Sequence, residues 1–595
     1  MNWLKYNAGA PGQMTRDVVD SFRRDPNARA LPPGMMRSDD KGWDLEDAYE
    51  ATAHSGLARQ LKSRHLQMIA IGSAIGACYF VTTGHALAQA GPGSLTLAFF
   101  LVGTAVFCTV QALGEMAVLF PVAGSFSAYS TRFLDPAWGF AMGWNYALQW
   151  IAVIPFEIVA GSIAFGYWTN GRVSNVVWIV VYLVGLAILN CFSVRMYGEA
   201  EFVFTSIKVT AIVGFIIFAL VIDLGGGPQG QFIGGRYWHD PGAFINGFKG
   251  FATVVPAAAF CWVGAELVGL CAAETRYPRQ SIPSAIRKTF WYLCFCYVIG
   301  TIMFGLIVSA ADAQLNAPAT AAGSPSISPF IIAIKNSGVR GLDSVFNAVI
   351  IVATFEVANS SLYASTRTMA ALAEQRQAPA FLAYIDRKGR PMAGVLVCLC
   401  VGLLAFLGST SADAQITVLV WIQSISSLAG IVTWASICLC HIRFRQAWKY
   451  QGHSLDELAF RSSVGVWGSA YAFVIFVWFL ILQLWTAIEP IGYELLGPSD
   501  RASYFFQTYL TIPVIIAFWV FYKVLYRTQV VRIDNMNLSI GVLKLTLEQI
   551  REEERAQRMK PAAWWKGFSI NNARLFQSKE EREMDWGFRA GSVLE

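Results

Sequence analysis

Five ionisable side chains lie inside long apolar stretches of this sequence, where a charge is costly. They are Lys208, Glu115, Glu157, Glu266 and Glu356. A charged group at the centre of a membrane-spanning helix costs about 2.5–3.5 kcal/mol on the insertion scale, so such a residue usually marks a substrate or ion pathway. The alternative is an interior ion pair or a charged group that reaches the interface. We favour a functional role for Lys208 and Glu266 and leave both interpretations open for the other three.

Two of these apolar stretches also carry residues that interrupt helices. The first reads Gly-Ser-Ala-Ile-Gly-Ala-Cys over 72–78, and the second has Pro256 followed by Phe-Cys-Trp-Val-Gly-Ala-Glu over 260–266. Proline removes a backbone donor, and glycine has low helix propensity. Non-helical backbone at membrane depth is tolerated only where it lines a cavity inside the protein. We therefore expect residues 73–79 and 261–265 to be non-helical and to face each other near mid-membrane.

Broken helices of this kind suit the binding of a small zwitterion. The N-terminus of a half-helix attracts an anion, and the freed carbonyl groups attract a cation. An α-amino acid offers both groups. The alternative is a packing motif, because small residues also let helices approach closely.

The composition predicts the elements that carry these residues. Of the 595 residues, 55% are hydrophobic and 14% are charged, whereas a typical soluble domain is about 25% charged. The mean hydropathy is +0.46. Twelve apolar runs are long enough to cross a bilayer, near 66–89, 94–120, 139–167, 176–194, 201–222, 244–273, 288–310, 342–372, 392–408, 415–440, 467–488 and 507–526. The predicted fold is therefore an all-α integral membrane protein with twelve transmembrane helices.

Lysine and arginine in the connecting segments predict the orientation. They are dense after the sixth, eighth and tenth runs and missing from the turns at 90–93 and 409–414. Both ends of the chain are therefore expected in the cytosol, and the net charge of +6 is assigned to cytosolic flanks rather than to nucleic-acid binding. No apolar run precedes the first span, which argues against a signal peptide. The predicted segments are a tail over 1–63, a membrane domain over 64–527 and a second tail over 528–595.

Several ordered blocks resemble the fungal amino-acid permease family of the amino acid–polyamine–organocation superfamily. The resemblance runs from about Arg64 to Phe460, and it is carried by RHLQMIAIGSAIG over 64–76, ALGEMAVLFPVAGSFSAYSTRFLDPAWGFAMGWNY over 112–146, GAELVGLCAAETRYPRQSIPSAI over 264–286 and ANSSLYASTRTMAALAEQRQAPAFL over 358–382. It implies a five-plus-five inverted repeat with broken helices one and six and two added helices. It also implies proton-coupled uptake of an amino acid across the plasma membrane, as a multi-pass protein in the lipid bilayer.

The resemblance also implies a set of site residues. The substrate-binding residues it implies are Ala74, Ile75, Gly76, Ala77, Cys78, Phe260, Cys261, Val263 and Gly264, to which we add Glu356. In this assignment the amides of 76–78 hold the substrate carboxylate. The carbonyls of Ala74, Phe260, Cys261 and Val263 receive its ammonium group. Lys208 and Glu266 match the family positions assigned to proton coupling.

The sequence departs from the family pattern at several points. Ala77 stands where the family has threonine, and Ser73 and Cys78 stand where it has glycine. Glu356 precedes the Ala-Asn-Ser run, where a small polar residue is usual. We consider three partners for its carboxylate: Lys208, the cationic side chain of a basic substrate, or an interior network away from the cavity.

Three other classes of function were weighed against a transporter. A non-transporting amino-acid receptor on the same fold remains the alternative, supported by the altered first-span motif and by long tails that could bind cytosolic regulators. An enzyme is not expected, because the six histidines are scattered and no nucleophile or metal-ligand spacing is visible. We expect no cofactor and no metal, and a channel is disfavoured because no selectivity-filter repeat is present.

Overall fold

The computed structural model describes residues 20–24, 45–169, 172–228, 230–315, 328–409 and 412–543, with only the backbone course given for 412–419. Regular structure within these ranges is helical, apart from the isolated bridges Arg24–Asp386 and Leu61–Thr275. The predicted all-α class is confirmed. Most of the two predicted tails and part of the turn at 409–414 lie outside the described residues.

Long apolar runs form helices because only a helix satisfies every backbone hydrogen bond within one segment. In chain order the first helices are α1 Leu45–Ala53, α2 Ser63–Ala74, α3 Thr83–Leu119, α4 Phe126–Phe133, α5 Pro136–Thr169, α6 Asn175–Asn190 and α7 Val194–Asp223. They are followed by α8 Gly247–Trp262, α9 Leu267–Leu270, α10 Pro278–Cys294, α11 Gly300–Ile307, α12 Pro329–Asn336, α13 Leu342–Glu374, α14 Met392–Gly402, α15 Ala412–Tyr450, α16 Gly465–Ile488, α17 Pro498–Tyr509 and α18 Thr511–Tyr526.

The number of membrane spans depends on how bent segments are counted. Within the described residues, nine helical segments are long and apolar enough to cross a membrane, or ten if the pair α17–α18, bent by 60°, forms one span. One of the nine runs from Ser63 to Leu119 and includes Gly91 at φ +77°, in the predicted turn at 90–93. Helix α6 is apolar but short. The predicted number of twelve spans is not confirmed and stays a prediction.

The helices with interruptions lie at the centre of the packing. Helix α2 packs against α7, α10 and α13, while α8 packs against α3, α15 and α16. Large side chains such as Trp150, Trp262 and Trp434 are fully buried between them. Valines at 176, 177, 180, 181 and 184 on α6 are instead exposed. An apolar exterior around a core that holds polar groups suits a lipid-facing surface.

Segments from both ends of the chain lie at one end of the helix bundle. The Ala123 amide donates to the Thr52 carbonyl beside α1 at 3.0 Å. After α18, the Val531 amide donates to the Leu134 carbonyl at 2.8 Å. The two segments also meet, because the Asn537 side-chain amide donates to Glu46 Oε1 at 3.1 Å. The chain over 528–542 therefore packs against the helix bundle.

Candidate functional site

The first interruption is short and sharply defined. Helix α2 ends at Ala74, and its cap Ile75 has φ −96° and ψ 89°. A π-helical turn over Cys78–Thr82 then leads into α3. Only 75–76 leave the helical pattern, so the predicted irregular stretch of 73–79 was too long. Two residues suffice because a π turn restarts the helix at once.

The second interruption follows α8 directly. Residues 263–266 form a turn between α8 and α9, so the predicted 261–265 started two residues too early. Gly264 has φ +112°, and a Cβ there would lie 2.6 Å from Ser73 Oγ and 2.9 Å from the Ala74 amide nitrogen. Glycine is needed for the backbone conformation and for the close approach. The two interruptions face each other, with Ser73 Oγ 3.4 Å from the Gly264 carbonyl oxygen.

The side chain of Lys208 reaches the first interruption from α7. Its ammonium group donates to the Gly72 carbonyl at 2.5 Å and to the Ile75 carbonyl at 2.8 Å. Its third partner is Glu356 Oε2 on α13, at 2.8 Å. Both side chains are fully buried. All three donors of the ammonium group are therefore used, two of them on carbonyls that the break leaves free.

Glycine at position 72 makes room for this ion pair. A Cβ at Gly72 would collide with Glu356 Oε1 and with Thr205 Oγ1. Thr205 itself lies 2.5 Å from Glu356 Oε1 and 2.9 Å from the Met68 carbonyl. Of the three partners considered for Glu356, the structure places Lys208 beside it.

A buried glutamate already binds the backbone amide that was expected to hold the substrate carboxylate. The Ala77 amide donates to both carboxylate oxygens of Glu157, each at 3.2 Å. Glu157 comes from α5 and is buried. In this structure the protein's own carboxylate therefore lies where the carboxylate of an amino acid was expected.

On the other side of the site, a tyrosine hydroxyl contacts two of the backbone carbonyl groups that were expected to bind the substrate ammonium group. Tyr297, in the π-helical turn between α10 and α11, lies with its hydroxyl 2.7 Å from the Ala74 carbonyl and 2.6 Å from the Cys261 carbonyl. Sequence reasoning did not identify Tyr297. The only signal was a hydroxyl within an apolar run, and nothing local links it to a position 223 residues earlier.

Glu266 supports the second interruption rather than lining the space between the two. Its carboxylate accepts hydrogen bonds from the Tyr146 hydroxyl, the Trp434 indole and the Gly264 amide, each at 3.1 Å. The donors lie on α5, on α15 and in the turn itself. Glu266 therefore connects the turn after α8 to two neighbouring helices.

A cavity of about 10 Å³, with room for about one water molecule, lies between the interruptions. Its lining residues are Ser73, Ala74, Gly76, Cys78, Trp150, Val153, Glu157, Phe260, Val263 and Val357. Among these described residues Glu157 is the single charged one. Five predicted site residues belong to the lining, and the other five, which are Ile75, Ala77, Cys261, Gly264 and Glu356, do not. Cys261 is nevertheless adjacent, since its sulfur lies 2.8 Å from Cys78 Sγ.

Comparison with known proteins connects this geometry to a family. The sequence model of the family described as "Amino acid permease" matches residues 65–535. The chain belongs to the amino acid permease family. The predicted resemblance is thereby confirmed over most of the length, including both interruptions and Lys208. Membership makes this a multi-pass membrane protein of amino-acid transport, and an all-helical permease fold agrees with the helices described above.

Curated relatives of the permease are fungal. General amino-acid permease GAP2 of Candida albicans is 44% identical over 553 residues, covering 92% of this chain and 91% of the relative. General amino-acid permease GAP1 of Saccharomyces cerevisiae is 40% identical, covering 93% and 91%. Cationic amino acid transporter 1 of Schizosaccharomyces pombe is 43% identical, covering 85% of each chain. All three names are those of transporters.

Proposed function

We propose that this permease imports amino acids across the plasma membrane by proton symport, with both chain ends in the cytosol. The observation that carries the proposal is the contact between a buried ammonium group, that of Lys208, and the carbonyls freed by the break in α2. A group that can lose a proton is thereby connected directly to the backbone that lines the cavity. Protonation and substrate binding can then influence each other.

The substrate is proposed to replace the protein's own side chains at the two interruptions. Its carboxylate takes the place of Glu157 at the Ala77 amide, beside the amides of Gly76 and Cys78. Its ammonium group takes the place of the Tyr297 hydroxyl at the Ala74 and Cys261 carbonyls. The matching hydrogen-bonding roles support this, because a carboxylate replaces a carboxylate as acceptor and an ammonium group replaces a hydroxyl as donor.

The lining supports amino acids with neutral side chains as substrates. Trp150, Val153, Phe260, Val263 and Val357 supply apolar surface. Glu356 was proposed from the sequence as a substrate-binding residue. Since it is paired with Lys208 and lies outside the lining, we now assign it to coupling. The cavity is closed in this structure, with a volume of about 10 Å³, so an amino acid enters only when Glu157 and Tyr297 move aside.

Lys208 is proposed to couple transport to protons. Its charged form has three donors and uses all of them, whereas a neutral amine has only two. Loss of the proton therefore releases at least one acceptor at the break and removes the charge that balances Glu356. Glu266, the second coupling residue predicted from the sequence, is proposed to act by holding the turn at Gly264 in place.

The test is uptake of labelled amino acids by a permease-deficient host expressing this chain. We expect accumulation that weakens as the external pH rises and that collapses when a protonophore is added. Lys208→Met, with surface amount verified, should lose accumulation. Lys249→Met is the matched control, because Lys249 is partly exposed and lies away from the break.

Two outcomes would contradict the proposal. Full accumulation by Lys208→Met would refute the coupling role of that residue. Binding of an amino acid to the wild-type chain without any uptake would instead support the receptor alternative.

A further inference from the structure

A second buried carboxyl group lies on the same face of α7 as Lys208. Glu201 precedes Lys208 by seven residues, which is two helical turns, and it is fully buried. Its carboxyl oxygens accept hydrogen bonds from the Asn359 side-chain amide at 2.8 Å and from the Ser360 hydroxyl at 3.0 Å, both on α13. It interacts electrostatically with Glu356 and with Lys208. Sequence reasoning did not single out Glu201, and no role described above uses it.

The charges in this cluster do not balance without an extra proton. Lys208 supplies one positive charge, whereas Glu201 and Glu356 supply two negative charges if both are ionised. The neighbouring cations are already engaged, Arg367 with Glu274 at 3.4 Å and Arg64 with Glu199. Glu157 on α5 also interacts electrostatically with Lys208 and, if ionised, adds to the negative excess. The other titratable side chains around the cluster are His65 on α2, Tyr197 on α7, Tyr363 on α13 and Cys271 after α9. An uncompensated buried charge is strongly disfavoured, so one of the two carboxyl groups carries a proton.

Thr205 can keep its contact with Glu356 in either protonation state of that carboxyl group, because the direction of the hydrogen bond can reverse. A threonine hydroxyl has one hydrogen to donate, yet Thr205 Oγ1 lies within hydrogen-bond distance of the Met68 carbonyl and of Glu356 Oε1. A carbonyl can only accept. When Thr205 donates to Met68, the contact of 2.5 Å with Glu356 is a hydrogen bond only if the carboxyl group is the donor.

We propose that Glu201 and Glu356 together form a proton-binding site beside Lys208, and that the transported proton passes through this site to and from the lysine. The inference rests on the proposed function. In one state the proton is on Glu201, and Glu356 is ionised and paired with Lys208. In the other state the O–H bond on Glu201 breaks and one forms on Glu356, so that the negative charge moves to Glu201 and away from the lysine. No other bond changes, and the total charge of the three groups stays zero.

Polar groups continue from Glu201 away from the break. The Tyr197 hydroxyl lies 3.4 Å from Ser360 Oγ. The Tyr197 ring stacks on Tyr363 with centroids 4.7 Å apart, and the Tyr363 hydroxyl donates to Glu274. Polar side chains therefore extend from the site toward the end of the bundle where Glu274 and Arg367 lie.

The experiment compares Glu201→Gln and Glu356→Gln with the wild-type permease at the cell surface. Glutamine keeps the shape of a protonated glutamate but cannot release a proton. Glu201→Gln should retain counterflow, the exchange of labelled for unlabelled amino acid at equal pH. Both variants should lose proton-driven accumulation, with the internal concentration falling to the external one, and should lose the alkalinisation of the medium that substrate addition causes. Glu199→Gln, on the same helix but partly exposed, is the matched control and should retain all three activities.

Each possible result either supports or overturns the proposed proton-binding site. Accumulation and alkalinisation at wild-type levels in Glu201→Gln would overturn the proposal. If Glu201→Gln also loses counterflow, Glu201→Asp, which keeps an ionisable group, should recover accumulation; a folded aspartate variant without accumulation would also overturn the proposal. Absence of transport by the wild-type chain would count against the proposed function instead, and the two failures are therefore distinguishable.

Discussion

Tyr297 has one hydroxyl proton and faces two carbonyl groups with it, those of Ala74 and Cys261. Since the ammonium group of a substrate is proposed to bind the same two carbonyls, the hydroxyl competes with it. A net hydrogen bond is worth about 0.5–1.5 kcal/mol, so Tyr297→Phe should lower the KM for uptake by about two- to tenfold. The maximal rate should fall as well, because the closed empty site loses a hydrogen bond that stabilises it. Initial rates over a range of substrate concentrations measure both effects.

Tyr79→Phe is the matched control for this change. Its hydroxyl donates to the Cys296 carbonyl at 2.7 Å, and its ring centroid lies 4.8 Å from that of Tyr297. The control removes a buried hydroxyl from the same aromatic cluster without touching either interruption. An unchanged or higher KM in Tyr297→Phe would show that the hydroxyl does not compete with substrate.

At the scale of the elements, the turn after α8 depends on a single glycine. Gly264 adopts φ +112°, and a Cβ there would crowd Ser73 Oγ and the Ala74 amide of α2. A residue forced into such a conformation costs about 1–3 kcal/mol, and the crowding adds to it. Gly264→Ala should therefore lower the thermal unfolding temperature of the purified protein in detergent. It should also reduce uptake, because the two interruptions are pushed apart.

The comparison for this variant is Gly214→Ala on α7. No heavy atom lies within 4 Å of a Cβ built at Gly214, and alanine has the higher helix propensity. This variant should be as stable as the wild-type protein or slightly more stable. Equal unfolding temperatures for Gly264→Ala and the wild-type chain would mean that the turn is not under the constraint described.

The elements also show which features the sequence could predict. Run length and hydropathy predicted the helices because the backbone in lipid must form its own hydrogen bonds. Glycine predicted where the helices break, whereas Pro256 lies inside α8 without ending it. The length of the first break was overestimated because a π-helical turn restarts the helix after residue 76. No local residue preference predicts such a turn. The partners of Glu356 were narrowed to three candidates because a buried charge must be compensated. Tyr297 and Glu201 were missed because their contacts join residues distant in sequence.

At the scale of the whole molecule, two connections identify opposite ends of the bundle. The Gly93 amide donates to the Ala243 carbonyl at 2.8 Å at one end, and the Gln451 side chain donates to the Met536 carbonyl at 2.7 Å at the other. With cytosolic chain ends, the first is extracellular. A glycosylation tag inserted at Gly235, where a Cβ meets no atom within 4 Å, should therefore be modified in the secretory pathway. Gel mobility before and after deglycosylation measures this.

The matched insertion is at Gly452, which is equally free of neighbours within 4 Å and lies beside Gln451. A tag there should remain unmodified, as should one at the start of the chain. Modification at Gly452 but not at Gly235 would invert the proposed orientation and make the tail-bearing end extracellular.

The internal partners at the two interruptions bear on the half of the proposed symport cycle in which nothing is carried. After releasing its cargo, a symporter has to reset across the membrane, and unpaired backbone groups in hydrocarbon would raise that barrier. Here Glu157 satisfies the Ala77 amide and the Tyr297 hydroxyl is shared by two carbonyls, so the protein can reset without the hydration water these groups would otherwise hold. Continuous chains of hydrogen-bonded water molecules conduct protons across a membrane. An idle transporter that closes on its own side chains therefore conserves the membrane's proton gradient while no nutrient is present.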